Sequence, residues 1–313
     1  HRFFWSPRRR RTRCVSPEGI SFRSMHASPS TAVTTRYTID VDVHPDVAGV
    51  AVKHALQLPR FLHHYPISSH TQAAYRYAVD FVLEFHRSRQ EQQQQSPSPV
   101  ILDSGCGTGR SSILLARSYP HLPVIGIDRS AVRLSKGGGD AGKRRGNRDN
   151  RLREPLPTNL LLLRADLVDL WILASRDNAW EIIEHYILYP NPYPKRSQLR
   201  SRWHGHSIFP VLLSLGGVIT LRSNWRTYLD EVCRAVLAIN GAAQTTEGEG
   251  DSAADEGGVV PATVAAAAAS YAASARAGPL TFVPAVPAAT NFEAKYVVVG
   301  ETVYELRLEP KLS

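Results

Sequence analysis

Between Val100 and Arg110 the chain reads VILDSGCGTGR, an apolar run that ends in an acid and opens at once into three alternating glycines. Such a run predicts a buried strand, a tight ligand-binding turn and a helix start. Gly105, Gly107 and Gly109 let the backbone enter conformations closed to other residues and let a ligand lie against the main chain. Asp103 then falls at the carboxyl end of the strand, the edge at which open α/β sheets hold their ligands. The dinucleotide fingerprint spaces its glycines GxGxxG, whereas here the spacing is GxGxG, so no pyrophosphate needs a cradle. That spacing favours S-adenosylmethionine over a nicotinamide cofactor.

Two further segments repeat the pattern of an apolar run closed by an acid. Pro123-Val-Ile-Gly-Ile-Asp128 reads as a second buried strand, its carboxylate suited to accept both hydroxyls of a ribose. Asn159-Leu-Leu-Leu-Leu-Arg-Ala-Asp166 reads as a third, with Asp166 suited to accept from an adenine amino group. Helix N-capping is the other ordinary use of an Asp after a strand, and it stays open for Asp128 and Asp166. Three acids at one sheet edge would form an adenosine-binding rim.

The 313 residues hold enough apolar side chains for one large domain or two small ones. No run of about 18 apolar residues occurs, so no membrane partner is expected. Cys14, Cys106 and Cys233 are isolated, which points to no structural metal. The net charge is +9, yet residues 1–36 carry eight arginines against the single acid Glu18, so the remainder is close to neutral. Nucleic-acid binding must therefore rest on local patches.

The Arg- and Ser-rich stretch 1–36 has the composition of an organelle transit peptide, or failing that of a disordered basic tail. An organellar location follows from the first reading and a cytoplasmic one from the second. Met25 is the only methionine, and a translation start there would leave most of the stretch untranslated. Residues 37–313 read as one domain with insertions at about 137–155 and 240–278. Thr71 to about Arg89 has helical spacing with Thr71 as its cap, and Gln90 to Pro99 reads as a linker. Glu181 to Tyr189 and Val218 to Leu221 supply a fourth and fifth strand, and Trp225 to Ile239 an amphipathic helix. Leu280-Thr-Phe-Val and the alternating Thr302-Val-Tyr-Glu-Leu-Arg-Leu308 are expected to close as an antiparallel edge hairpin. Strands alternating with helices make the expected fold α/β, a doubly wound, Rossmann-like, mostly parallel sheet.

After the fourth strand comes Tyr189-Pro-Asn-Pro-Tyr-Pro-Lys195, then Arg196, Arg200, Arg202, Trp203, His204 and His206. Three prolines stiffen this loop at the carboxyl edge of the sheet. The segment resembles the proline-rich loop of the tRNA (guanine-N7) methyltransferase family, usually FPDPWPK followed by basic residues. Ser223-Asn-Trp225 resembles that family's Thr-Asp pair, and Thr290-Asn-Phe-Glu293 its C-terminal TxFE motif. The resemblance spans roughly residues 55–309 apart from the insertions. It implies a class I methyltransferase sheet, S-adenosylmethionine as cofactor and tRNA as partner, with any protein partner unspecified. By the same resemblance Asp103, Gly105, Gly107, Gly109, Asp128 and Asp166 bind the cofactor and Asn191 takes the place of the catalytic acid. Lys195, Arg202, Asn224, Thr290 and Glu293 would contact the substrate.

Asn191 and Asn224 stand where the family usually has Asp. Guanine N7 carries its lone pair in the plane of the base and no proton, so methyl transfer to it depends on alignment and not on a general base. The Asn191 carbonyl is expected to accept one hydrogen bond from the base, in place of a carboxylate. The two amides leave open a methyltransferase for another substrate, small molecule or protein, and a non-catalytic RNA-binding relative. Lys195, Arg196, Arg200 and Arg202 are expected to pair with phosphates while Trp203 or Tyr193 stacks on a base. His204 and His206 are read as structural hydrogen-bonding groups, and Trp171, Trp180 and Trp225 as packing residues.

Overall fold

The computed structural model describes residues 43–89, 97–137, 155–246, 281–282 and 289–310. The expected leader, most of the linker and nearly all of both insertions lie outside the described residues. In chain order the elements are α1 (Val47–Leu56), α2 (Leu58–His64), α3 (Ser69–Ser88), β1 (Ser98–Ser104), α4 (Arg110–Ser118), β2 (Val124–Asp128), α5 (Ala131–Gly137) and β3 (Leu160–Arg164). There follow α6 (Leu167–Asp177), β4 (Trp180–Leu188), two short 3-10 turns at Arg196–Ser201 and Trp203–Gly205, α7 (Phe209–Ser214) and β5 (Val218–Ser223). The chain closes with α8 (Arg226–Thr246), β6 (Thr281–Phe282), α9 (Asn291–Val298) and β7 (Tyr304–Leu308).

The strands form one sheet in the order β3-β2-β1-β4-β5-β7-β6. β1 to β5 run parallel, and β7 pairs antiparallel with both β5 and β6. This is the expected doubly wound, mostly parallel sheet with an antiparallel edge. Helices cover both faces, which is why β2 is buried along its whole length and reads as a continuous apolar run. One face packs Val100, Leu102, Ile125 and Ile127 against Ala78 and Val82 of α3 and Trp171 of α6. The other packs Ile101 and Val124 against Leu115 and Ala116 of α4. Gly126 in β2 permits that closeness, because a Cβ there would lie 2.2 Å from Ser112 Oγ and 2.7 Å from Leu162.

The winding fixes the position of any ligand. From β1 the chain moves outward to β2 and β3, then crosses back to β4 on the other side of β1. Order reverses between β1 and β4, so the turn after β1 and the loop after β4 face one crevice at the carboxyl edge. Two element ends differ from the sequence expectations. Helix α3 is capped by Ser68, whose Oγ accepts from the Thr71 N–H at 3.3 Å, so Thr71 is a first-turn residue instead of the cap. Helix α8 runs on to Thr246, seven residues past Ile239, beyond the apolar stripe on which the expectation was based. Among the described residues no helix is long and apolar enough to cross a membrane.

Candidate functional site

The glycine turn is built by positive φ angles of 83° at Gly105, 62° at Gly107 and 80° at Gly109. A Cβ on Gly105 or Gly107 would meet no atom within 4 Å, so these two leave open space on the ligand side. Gly109 faces inward instead, where a Cβ would lie 2.7 Å from Leu162, and it lets α4 start hard against the sheet. Asp128 ties the turn to the next strand by accepting from the Gly107 N–H at 3.0 Å and the Ser130 N–H at 2.7 Å. Arg133 lies 3.4 Å from the same carboxylate. Oδ2 takes both the Gly107 N–H and Arg133, so the spare accepting capacity of this carboxylate is on Oδ1, which has Ser130 alone.

Asp103 lies behind the turn. It is 1% exposed, and its Oδ2 accepts from Ser111 and Ser112 at 2.6 Å each while Oδ1 has no partner. Burial, with Asp128 nearby and against the two serine bonds, pushes its pKa up to about 6. Asp166 accepts from the Val168 N–H at 2.9 Å and caps α6, and it also lines the crevice, so the capping and ligand-side readings coexist.

Two adjoining cavities occupy the switch point. The inner, about 270 Å³, is lined by Ser104, Gly105, Asp128, Asp166, Asn191 and Trp203 among others. The outer, about 590 Å³, is lined in part by Gly107, Arg110, Arg133, Lys136, Asn224 and Lys295. Gly105, Arg133 and the Leu188–Asn191 stretch line both. Beneath the inner cavity Ser104 Oγ bonds His185 Nε2 at 2.8 Å and receives Trp171 Nε1 at 3.2 Å. His185 is fully buried, and burial drives its pKa down to about 3, so it is neutral near pH 7.

The proline loop is held in a strained path. Tyr189 at φ 53° and Tyr193 at φ 44° both adopt left-handed backbone, an arrangement that costs on the order of 1–3 kcal/mol per residue and concentrates at functional sites. A buried strut supports it. Arg202 is 2% exposed and donates through Nε and Nη2 to the Tyr193 carbonyl at 3.2 and 3.0 Å, while Nη1 pairs with Glu231 of α8. Glu231 also accepts from His204 at 2.8 Å and from the His44 N–H at 3.1 Å. Burial works against the Glu231 charge, but His204 and Arg202 together hold the carboxyl below its ordinary range. Arg202 was expected to reach a phosphate; its guanidinium is turned inward onto these two partners, because a buried carboxylate recruits the nearest cation. His204 has the structural hydrogen-bonding role expected of it.

Asn191 is exposed, and its Oδ1 accepts from the Tyr193 N–H at 3.4 Å. Lys195 is exposed at the start of the first 3-10 turn and lines neither cavity. Asn224 follows β5 and donates through Nδ2 to Glu301 at 2.8 Å. The Thr290-to-Glu293 segment starts α9 with a hydrogen-bonded cap. Thr290 Oγ1 accepts from the Glu293 N–H at 3.0 Å, and Glu293 reaches back to the Ala289 N–H at 2.7 Å. Glu293 is 1% exposed and pairs with Arg222 at 3.3 Å, so it sits behind the outer cavity that Thr290 lines.

Sequence reasoning passed over Arg110, Arg133, Lys136, Lys295 and the exposed ring of Phe292, over which Lys295 sits at 5.8 Å. Their spacing carries no signal, since α4, α5 and α9 meet only in the fold. The cradle fits S-adenosylmethionine on its own geometry: open space above two left-handed glycines, Asp128 with spare acceptor capacity, and Asp166 at the far wall.

The Methyltransf_4 family, described as "Putative methyltransferase", matches residues 97–263. The chain is 24% identical over 194 residues to the tRNA (guanine-N(7)-)-methyltransferase of Acinetobacter baylyi, covering 60% of this chain and 72% of that one. It is 26% identical over 155 residues to the enzyme of the same description from Psychromonas ingrahamii, covering 49% of this chain and 58% of that one. With the Porphyromonas gingivalis relative, 27% identical over 146 residues, the chain spans little more than half of the relative's length, 53%, and 46% of its own. Among solved structures, the aminoglycoside resistance methyltransferase NpmB1 aligns over 72% of this chain and 93% of its own, at 18% identity and a TM-score of 0.35.

Proposed function

The chain belongs to the Methyltransf_4 methyltransferase family, and from that premise we propose that it methylates guanine N7 in tRNA. It is a methyltransferase whose methyl donor is S-adenosylmethionine. When bound, that cofactor supplies a sulfonium methyl group to a nucleophile in line with the carbon–sulfur bond. Guanine N7 carries a lone pair and no proton, so no side chain would have to remove a proton there. What the chain's residues do is hold and align, which is the larger part of such a barrier. Gly105 and Gly107 leave room where the donor would lie, Asp128 and Asp166 would accept from its hydroxyl and amino groups, and Asn191 lines both cavities.

The observation that carries the RNA reading is the outer cavity's lining of Arg110, Arg133, Lys136 and Lys295 with Tyr189, Phe292 and Tyr296. Cations for phosphates beside rings for an unstacked base are what recognition of a folded RNA requires. The repeated likeness to tRNA (guanine-N(7)-)-methyltransferases supports the same target. The test is methyl transfer from labelled S-adenosylmethionine to unmodified total tRNA, with nucleoside analysis of the product. Labelled 7-methylguanosine is expected; donor binding with label appearing only in small molecules or protein would overturn the tRNA reading.

A further inference from the structure

Helix α9 forms one wall of the outer cavity and the glycine turn another, and Asn291 ties the two together. Its Nδ2 donates to Thr108 Oγ1 at 3.2 Å, and its Oδ1 accepts from Arg110 Nη1 at 3.5 Å. A guanidinium only donates, which fixes the amide with its oxygen toward Arg110 and its nitrogen on Thr108. Thr108 stands between two left-handed glycines, Gly107 at φ 62° and Gly109 at φ 80°, next to the open space over Gly105 and Gly107. Apolar packing does not position α9. No described side chain of this helix belongs to the apolar core clusters, and Phe292 and Val298 are 54% and 85% exposed. Its other ties to the fold include the Glu293–Arg222 pair at 3.3 Å and the Tyr296 ring, 5.6 Å from that of Tyr189.

Resting on the tRNA reading above, we propose that Asn291 is a positioning residue that couples occupancy of the donor cradle to binding of the RNA. A donor lying against Gly105 and Gly107 narrows the conformations open to the turn, and Thr108 is fixed with it. The Asn291 bridge passes that order to the first turn of α9, the helix that brings Phe292, Lys295 and Tyr296 to the wall of the outer cavity. An RNA that meets this wall with the donor in place has less freedom to remove, so it binds more tightly. By linkage the donor binds the RNA complex more tightly by the same factor. The bond that transmits the coupling sets its size: one hydrogen bond between neutral groups carries a factor of roughly two to ten. The functional result is that tRNA is held by the loaded chain in preference to the empty one.

The experiment measures the dissociation constant of unmodified total tRNA with and without saturating S-adenosylhomocysteine, for the whole parent chain and for Asn291→Ala and Thr108→Val, singly and together. Asn291 is exposed and Ala suits a helix's first turn, so Asn291→Ala keeps the fold, and a thermal melt verifies it. In the parent, S-adenosylhomocysteine is expected to tighten tRNA binding by roughly two- to tenfold, and tRNA to tighten S-adenosylhomocysteine binding equally. In Asn291→Ala that ratio should fall toward one, with no further fall in the double variant, since both changes break the same bond. The affinity of Asn291→Ala for S-adenosylhomocysteine alone should stay within about twofold of the parent's, which separates lost coupling from a damaged cradle. A parent ratio at or below one, or the parent's ratio persisting in Asn291→Ala, overturns this inference and leaves the function reading intact. Absence of labelled 7-methylguanosine with the parent chain overturns that reading and this inference with it.

Discussion

Replacing Arg202 by Met removes the cation from a strut of three partners and leaves Glu231 ionised at 1% exposure. Removing one member of such a buried pair costs about 3–5 kcal/mol, because the remaining charge stays desolvated. His204 and the His44 N–H still bond Glu231, at 2.8 and 3.1 Å, which places the expectation toward the lower end of that range. For a domain of this size about 3 kcal/mol corresponds to a melting temperature lower by roughly 6–12 °C. The double variant Arg202→Met with Glu231→Leu removes the stranded charge and should recover more than half of the lost stability. It cannot restore the two bonds to the Tyr193 carbonyl, made at 3.2 and 3.0 Å, so methyl transfer should stay low in both variants. Urea unfolding gives the stabilities and labelled-methyl turnover gives the activities. A loss below about 1 kcal/mol in the single variant, or activity returning together with stability in the double variant, would refute the assignment of Arg202 as the positioning residue of this loop.

Three further outcomes can be measured independently. Gly107→Ala meets no neighbour within 4 Å but sits at φ 62°, so stability should fall by only about 1–2 kcal/mol, whereas calorimetric affinity for S-adenosylhomocysteine should drop by at least roughly tenfold as the methyl enters the cradle; unchanged affinity would remove the turn from the site. His185 has a folded pKa of about 3 against an ordinary 6.5, so the unfolded chain takes up its proton first and stability is lost as pH falls from 6.5 toward 3, by up to about 5 kcal/mol. Asp103 acts in the opposite sense between 3.8 and about 6, so the comparison is drawn between parent and His185→Gln, which should lose less stability from pH 7 to pH 4; equal losses would contradict a buried neutral imidazole. Thr290→Ala deletes the cap of α9 and should cost about 1 kcal/mol by urea unfolding, while no measurable change would mean that Glu293 and Arg222 hold the helix without it.

The linear chain by itself determined the parallel sheet and the edge at which its site lies. Apolar runs ending in Asp103, Asp128 and Ala165-Asp166 read as buried strands, and alternating glycines after the first read as an open turn, because both signals are local. The closing antiparallel strands were legible for the same reason, whereas the Thr290-to-Glu293 segment, expected to contact substrate, caps α9 with Glu293 buried behind the cavity. What only the tertiary structure decided is which polar groups remain free for a ligand. Arg202 looks like one more cation in a basic run, and it is withdrawn because α8 brings a buried carboxylate to it from 29 residues away. Arg110, Lys136 and Lys295 come from three separate helices, and no spacing announces that they share a wall. Asn191 and Asn224 look alike in sequence, yet Tyr193 takes the oxygen of one and Glu301 the nitrogen of the other. Local backbone chemistry is written in neighbouring residues, whereas the satisfaction of hydrogen bonds depends on partners that only the fold brings within reach.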